Sequence, residues 1–172
     1  YLMNVQMAYL LGMVLGNGEI QRELDTTKVT IAIPHKNLKD DNGLDVQVYV
    51  NSSLMDIRAV IEPLVGQSFL HSQTKRCTQI SFTKPNADYV IREIMRFIGG
   101  GVNHTTMQMN SDLFNITRDE KIELLRGIAD VTGYIRRSNV AYGQDGAHRV
   151  YIEIPGNWQF VIDVANLLKS ID

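Results

Sequence analysis

Apolar residues fill the stretch AYLLGMVLG, from Ala8 to Gly16, almost without a break, and the run stops at Gly16-Asn17-Gly18. That pattern predicts a buried helix over about residues 4–15, closed by glycine. The next segments alternate instead. In KVTIAIP, Val29, Ile31 and Ile33 interleave with Lys28, Thr30 and Ala32, the period of a half-buried strand. Residues 19–24 supply a strand before it, around the turn Asp25-Thr26-Thr27. The polar residues 35–45, with Asp41-Asn42-Gly43, read as a loop, and 46–50 as a short extra strand. A second helix is expected from a Ser52 or Ser53 cap to Val65, ahead of Gly66. A hairpin over 68–73 and 76–83 follows. The third helix covers 86–98, with Val90, Ile91, Ile94 and Ile98 on one face, and Gly99-Gly100-Gly101 closes it. An irregular connection then leads to Thr117-Arg118-Asp119-Glu120, a capping box that opens a helix over 119–131.

From that point the pattern repeats. LLRGIADVTGYI overlays on YLLGMVLGNGEI, with Gly127 on Gly12 and Gly133 on Gly18, an offset of 115 residues. The run Val150-Tyr151-Ile152-Glu153-Ile154-Pro155 overlays on Val29 to Pro34 at an offset of 121, so the second hairpin is six residues longer. The turn-rich residues 139–147 take up that difference, and a helix over 158–170 follows. The expected organisation is a first half over 1–100, a connection over 101–117, and a second half over 118–172 without a counterpart of residues 68–98.

The paired runs resemble the nine-residue motif of the LAGLIDADG endonucleases, found in homing nucleases, inteins and intron maturases. The resemblance implies an α+β fold of two αββαββ repeats about a pseudo-two-fold axis, the second truncated here. The two motif helices would lie side by side, and antiparallel, saddle-shaped sheets would rest on DNA. It places Gly12 and Gly127 at the helix seam, where only small residues permit backbone contact. It places the family's two catalytic acids at Asn17 and Thr132. Those acids hold divalent metal ions that activate water, and neither position carries an acid here. Mg²⁺ is implied only if cleavage is retained; an amide carbonyl lacks the charge that holds this ion, and threonine is weaker still. Asp130 and Glu19 lie two residues from these positions and not on them. Asp130 is expected to cap or to pair within the helix pair.

Strand parity nominates a surface. With Val29, Ile31 and Ile33 inward, Lys28 and Thr30 face out, joined by Gln21 and Glu23. In the hairpin, Gln79 and Ser81 oppose the inward Ile80 and Phe82, with Lys75 near the turn. In the second half the same logic gives Arg136, Ser138, Arg149 and Tyr151, and Arg137 follows the motif where phosphates would pass. Such residues can hydrogen-bond base edges and phosphates. Glu23, Asp25 and Glu153 oppose that reading locally, and the formal net charge of −2 gives it no global support.

The remaining composition narrows the classes. One cysteine, Cys77, excludes an internal disulfide and a cysteine-rich zinc site. The four histidines have no ligand spacing and are each expected on the surface or in a turn. No apolar run approaches the ~20 residues of a membrane span, so a cytoplasmic or nucleoid-associated location is expected. The expected partner is double-stranded DNA, with further domains of a longer chain in view. The expected function is a DNA-binding module that has lost its catalytic acids, serving a larger nuclease or a regulator. The alternatives are a metal-dependent homing endonuclease and an intron RNA maturase.

Overall fold

The computed structural model describes residues 3–35, 46–137 and 148–172, and of 46–49, 134–137 and 148–150 the backbone alone. The loop expected over 36–45, Ser138 and the turn-rich 139–147 lie outside the described residues. The chain folds as α1 (Val5–Asn17), β1 (Gly18–Arg22), β2 (Thr26–Pro34), α2 (Val46–Val65), β3 (Leu70–Gln73), β4 (Cys77–Pro85) and α3 (Tyr89–Phe97). After a connection come α4 (Arg118–Thr132), β5 (Gly133–Arg137), β6 (His148–Ile152) and α5 (Trp158–Lys169). This is the α+β arrangement the sequence implied. Two helices pack side by side, each followed by antiparallel strands, and the second set is shorter.

Asn4 starts α1 by accepting a 2.7 Å hydrogen bond from the Met7 amide. Every residue from Met7 to Gly16 is buried. A helix apolar all round must be enclosed on all sides, and α1 is enclosed by α4, β2, α2 and α3. The four-stranded sheet runs in the order β1-β2-β4-β3, all antiparallel, and the second sheet is β5-β6. Val29, Ile31, Ile33, Ile80 and Phe82 are buried on the inner face of the first sheet, as alternation required.

Two expectations fail. Residues 46–50 are not a strand but the opening of α2, so Ser52 and Ser53 lie inside the helix and cap nothing. The β-branched Val46, Val48 and Val50 suggested a strand, yet Val50 continues the apolar stripe of Leu54, Ile57, Ile61 and Val65 by one more turn. Burial of that stripe overrides local propensity. His35 is not a surface residue. It is buried where β2 leaves the sheet, with Nε2 at 2.7 Å from Thr78 Oγ1 and Nδ1 at 3.2 Å from the Lys75 carbonyl.

The contact between α1 and α4 sets the geometry of everything above it. A Cβ built on Gly12 would fall on the carbonyl oxygen of Leu124 and 3.0 Å from the amide nitrogen of Ile128. One built on Gly127 would fall on the carbonyl oxygen of Tyr9 and 3.0 Å from the nitrogen of Met13. The two trios are related residue by residue through the offset of 115. The helices therefore touch backbone to backbone, closer than the usual 8–10 Å between axes with intervening side chains allows.

Candidate nucleic-acid interface

The two seam helices end together. Asn17 and Thr132 line one cavity of about 280 Å³, with His104 and Glu153 and between Pro34 and Pro155. Both motif residues are tied to the fold. Asn17 Nδ2 donates to the Ala32 carbonyl on β2 at 2.8 Å, and Thr132 Oγ1 donates to the Ile128 carbonyl at 2.5 Å. The connection forms another wall. Ile20 donates its amide to the Val102 carbonyl at 2.7 Å, and His104 donates to Gly18 at 2.9 Å. Asn157, ahead of α5, fastens it by donating to the carbonyls of His104 and Met107, both at 2.8 Å. His104 was not marked by sequence reasoning, and no local signal could have placed it there.

This donor set does not fit the paired metal ions of a LAGLIDADG centre. Mg²⁺ is held by one or two carboxylates with near-octahedral oxygen geometry. Here Glu153 is the one carboxylate among the lining residues, and the two motif positions contribute an amide and a hydroxyl already donating to backbone. Among the described residues no group of three His, Cys, Asp or Glu side chains converges on a common point.

Asn17→Asp is expected to destabilise the protein. A carboxylate at that position would lose the N–H that bonds Ala32 and face a carbonyl oxygen at a helix C-terminus, two unfavourable electrostatic contacts. Its folded pKa would rise above that of the unfolded chain. The penalty is therefore absent below about pH 4 and grows as pH rises, reaching about 1–2 kcal/mol at pH 7. Urea melts of both proteins at several pH values check this.

On the other side of the seam, Tyr9 donates its hydroxyl to Asp130 Oδ2 at 2.5 Å, and the Arg126 guanidinium stacks 4.6 Å above the Tyr9 ring. Burial raises the Asp130 carboxyl above its ordinary value, opposed by the Tyr9 hydrogen bond and Arg126. Burial, then the Asp130 charge, pushes the Tyr9 phenol far above the usual range. A raised carboxyl pKa means that the folded state holds its proton longer than the unfolded one, so stability falls as pH climbs from about 4 through the folded pKa. Asp130→Asn is expected to flatten that fall. An unchanged pH profile of Tm would refute it.

The outer face of the four-stranded sheet carries the nominated residues in rows set by register. Gln21 lies opposite Lys28, which lies opposite Thr83; Thr30 lies opposite Ser81; and Gln79 lies opposite both Ala32 and Ser72. Lys28, Thr30, Gln79 and Ser81 share one groove of about 380 Å³ with His71 and Ser72. His71 and Ser72 escaped the sequence reading because β3 is exposed at all four residues and shows no alternation. Glu23 and Lys75 sit at the two hairpin turns, both exposed and outside this groove. In the second sheet, Arg136 lies at the register position opposite Arg149, and Tyr134 opposite Tyr151. Arg137 falls at the alternate position, opposite His148. Tyr151 is exposed.

No protein-family model matches the sequence, and no curated protein is a detectable relative. Among solved structures, the chain is similar to mesophilic variants of the homing endonuclease I-DmoI, at 14% identity and a TM-score of 0.42, over 82% of this chain and 70% of that one. It is also similar to I-DmoI in complex with DNA and Mn, at 12% identity and a TM-score of 0.41, over 98% of this chain and 97% of that one. Among the described residues, no helix is long and apolar enough to cross a membrane.

Proposed function

We propose that this chain is a double-stranded DNA-binding module derived from a LAGLIDADG endonuclease, with recognition kept and the catalytic acids gone. The observation that carries this reading is the pairing of Asn17 and Thr132 in one cavity at the ends of two helices in backbone contact. The seam remains while the charge that metal-assisted hydrolysis needs is missing from both sides. We read residues 1–100 and 118–172 as two copies of one ancestral unit joined by 101–117. Further domains of a larger nuclease or regulator would supply any cutting.

Recognition falls to the sheet faces. Gln21, Thr30, Gln79 and Ser81 offer donors and acceptors at the spacing of a pleated strand, and Lys28 adds a phosphate or guanine contact. A two-dimensional lattice of neutral hydrogen-bonding groups suits base edges in the major groove, whereas Lys75, Arg136, Arg137 and Arg149 suit the phosphate backbone. Contacts of Lys28, Lys75, Arg136, Arg137 and Arg149 to phosphates would release counterions, so affinity is expected to fall with salt, and the repulsion of phosphate by Glu19 and Glu23, itself screened by salt, makes that fall shallower.

The deciding experiment is selection of bound duplexes from a random pool at low and at moderate salt, with RNA as competitor. A defined duplex site is expected. Preference for RNA would turn the reading to a maturase, and no enrichment would remove nucleic acid altogether. Incubation of the selected duplex with Mg²⁺ or Mn²⁺ is expected to leave both strands intact; cleavage by the unaltered chain would overturn the loss of catalysis.

A further inference from the structure

α1 ends on an Asn-Gly pair, and the fold dictates the glycine. A Cβ built on Gly18 would lie 2.5 Å from the Val14 carbonyl oxygen and 2.7 Å from the Val14 Cα, closer than a side chain tolerates. The equivalent Gly133 closes α4 for the same reason, with its Cβ position 2.5 Å from the Ala129 carbonyl oxygen. The residues ahead of the two glycines differ: Thr132 in the second half, and an amide, Asn17, in the first. Asparagine is a thermolabile residue, and a following glycine has no side chain to hinder attack by its own nitrogen on the amide.

The reaction open to such a pair consumes only water. The Gly18 nitrogen gives its proton to solvent base and attacks Asn17 Cγ. The new C–N bond closes a five-membered succinimide, and the Cγ–Nδ2 bond breaks to release ammonia. Water then opens the ring at either carbonyl, leaving aspartate or, with the main chain rerouted through Cγ, isoaspartate. In the folded chain each participant is held. The Gly18 N–H donates to the Val14 carbonyl, and Asn17 Nδ2 donates to the Ala32 carbonyl at 2.8 Å. Asn17 is the last residue of α1, and the ring cannot close while its ψ stays in the helical range. Reaction therefore requires the helix end to open, which breaks both hydrogen bonds.

We propose that Asn17-Gly18 is a deamidation site gated by the end of α1: silent in the folded chain, reactive once the helix end opens, and one-way thereafter. Aspartate lacks the N–H that held the Ala32 carbonyl. Isoaspartate adds one atom to the main chain between α1 and β1. That displaces Gly18 from its place opposite Ile31 and from the His104 amide, which donates to its carbonyl at 2.9 Å. Either product closes this end of the seam less well than the amide, so the modification marks chains that have opened. Thr132 has no amide to lose, which confines the mark to the first half. This inference rests on the geometry of the helix end and not on the DNA-binding reading, and its test contains no nucleic acid.

The test follows conversion at Asn17 in mildly alkaline buffer by mass spectrometry of proteolytic fragments, with isoaspartate separated from aspartate by chromatography. A synthetic peptide of residues 12–22, too short to hold a helix alone, is the open reference. The folded whole chain is expected to convert about tenfold or more slowly than the peptide, equivalent to about 1.4 kcal/mol of opening free energy. A urea series on the same chain should raise the rate through the unfolding transition toward that of the peptide. Chains separated after conversion and returned to native buffer should melt below the unconverted protein. Equal rates in the folded chain and the peptide would overturn the gate, and a peptide that does not convert would overturn the site. A rate that stays flat through the urea transition would sever the two, and an unchanged Tm after conversion would overturn the one-way character.

Discussion

Replacing Gly12 with alanine is expected to cost about 3 kcal/mol or more, by the physics that governs overpacked cores. The corresponding fall in Tm is about 6–12 °C for a chain of this size. On helix propensity alone the same substitution would stabilise α1 by about 1 kcal/mol, so the sign of the result separates the two effects. The added methyl group would meet the Leu124 carbonyl oxygen and the Ile128 nitrogen, both backbone atoms of a helix that cannot yield locally. Relief requires α1 and α4 to part along their length. Gly127→Ala is expected to cost a similar amount against Tyr9 and Met13. The double substitution should cost less than the two singles added together, because one separation of the helices accommodates both methyl groups. Ser52→Ala, at an exposed position in α2, is the control and should leave Tm near wild type or slightly raised. Thermal melts of the four variants suffice, and a Gly12→Ala protein as stable as wild type would refute the seam.

The second large effect is expected at the sheet. Lys28→Ala combined with Gln79→Ala should weaken binding to the selected duplex by about a hundredfold or more, taking about 1–3 kcal/mol for each hydrogen bond to a base or phosphate that is removed. The two contributions differ in kind. Lys28→Ala alone should reduce the slope of log affinity against log salt by about one. Gln79→Ala alone should leave the slope unchanged and relax preference at one base pair. Both side chains stand on β2 and β4 facing away from the core, so neither change should alter Tm appreciably. Full retention of affinity in the double variant would move the interface elsewhere on the molecule.

How far the chain could be read before its structure depended on the range of the interaction. The seam was legible because a glycine inside an apolar helix is costly and occurs twice at one offset, at Gly12 and Gly127. The inner faces of β2 and β4 were legible because alternation is local. The start of α2 was misread, since Val46, Val48 and Val50 carry β propensity and their helical stripe appears only when Leu54 and Ile57 are counted with them. His35 was misplaced because its partners, Thr78 and the Lys75 carbonyl, arrive about forty residues later. The cavity at the helix ends was half legible. Asn17 and Thr132 follow from the motif, whereas His104 reaches the cavity only because the connection lies along β1, a placement made by backbone bonds that leave no pattern in side chains.

The enclosure of α1 also has a consequence for how the protein is made. Its covering helix, α4, lies about 115 residues downstream, and at a synthesis rate of about 5–20 residues per second that helix emerges roughly ten seconds later. Through that interval the most apolar helix of the chain waits with its glycine face uncovered. The nascent first half is then a natural client for chaperones, and ribosome-bound chains halted before and after α4 should differ sharply in resistance to protease.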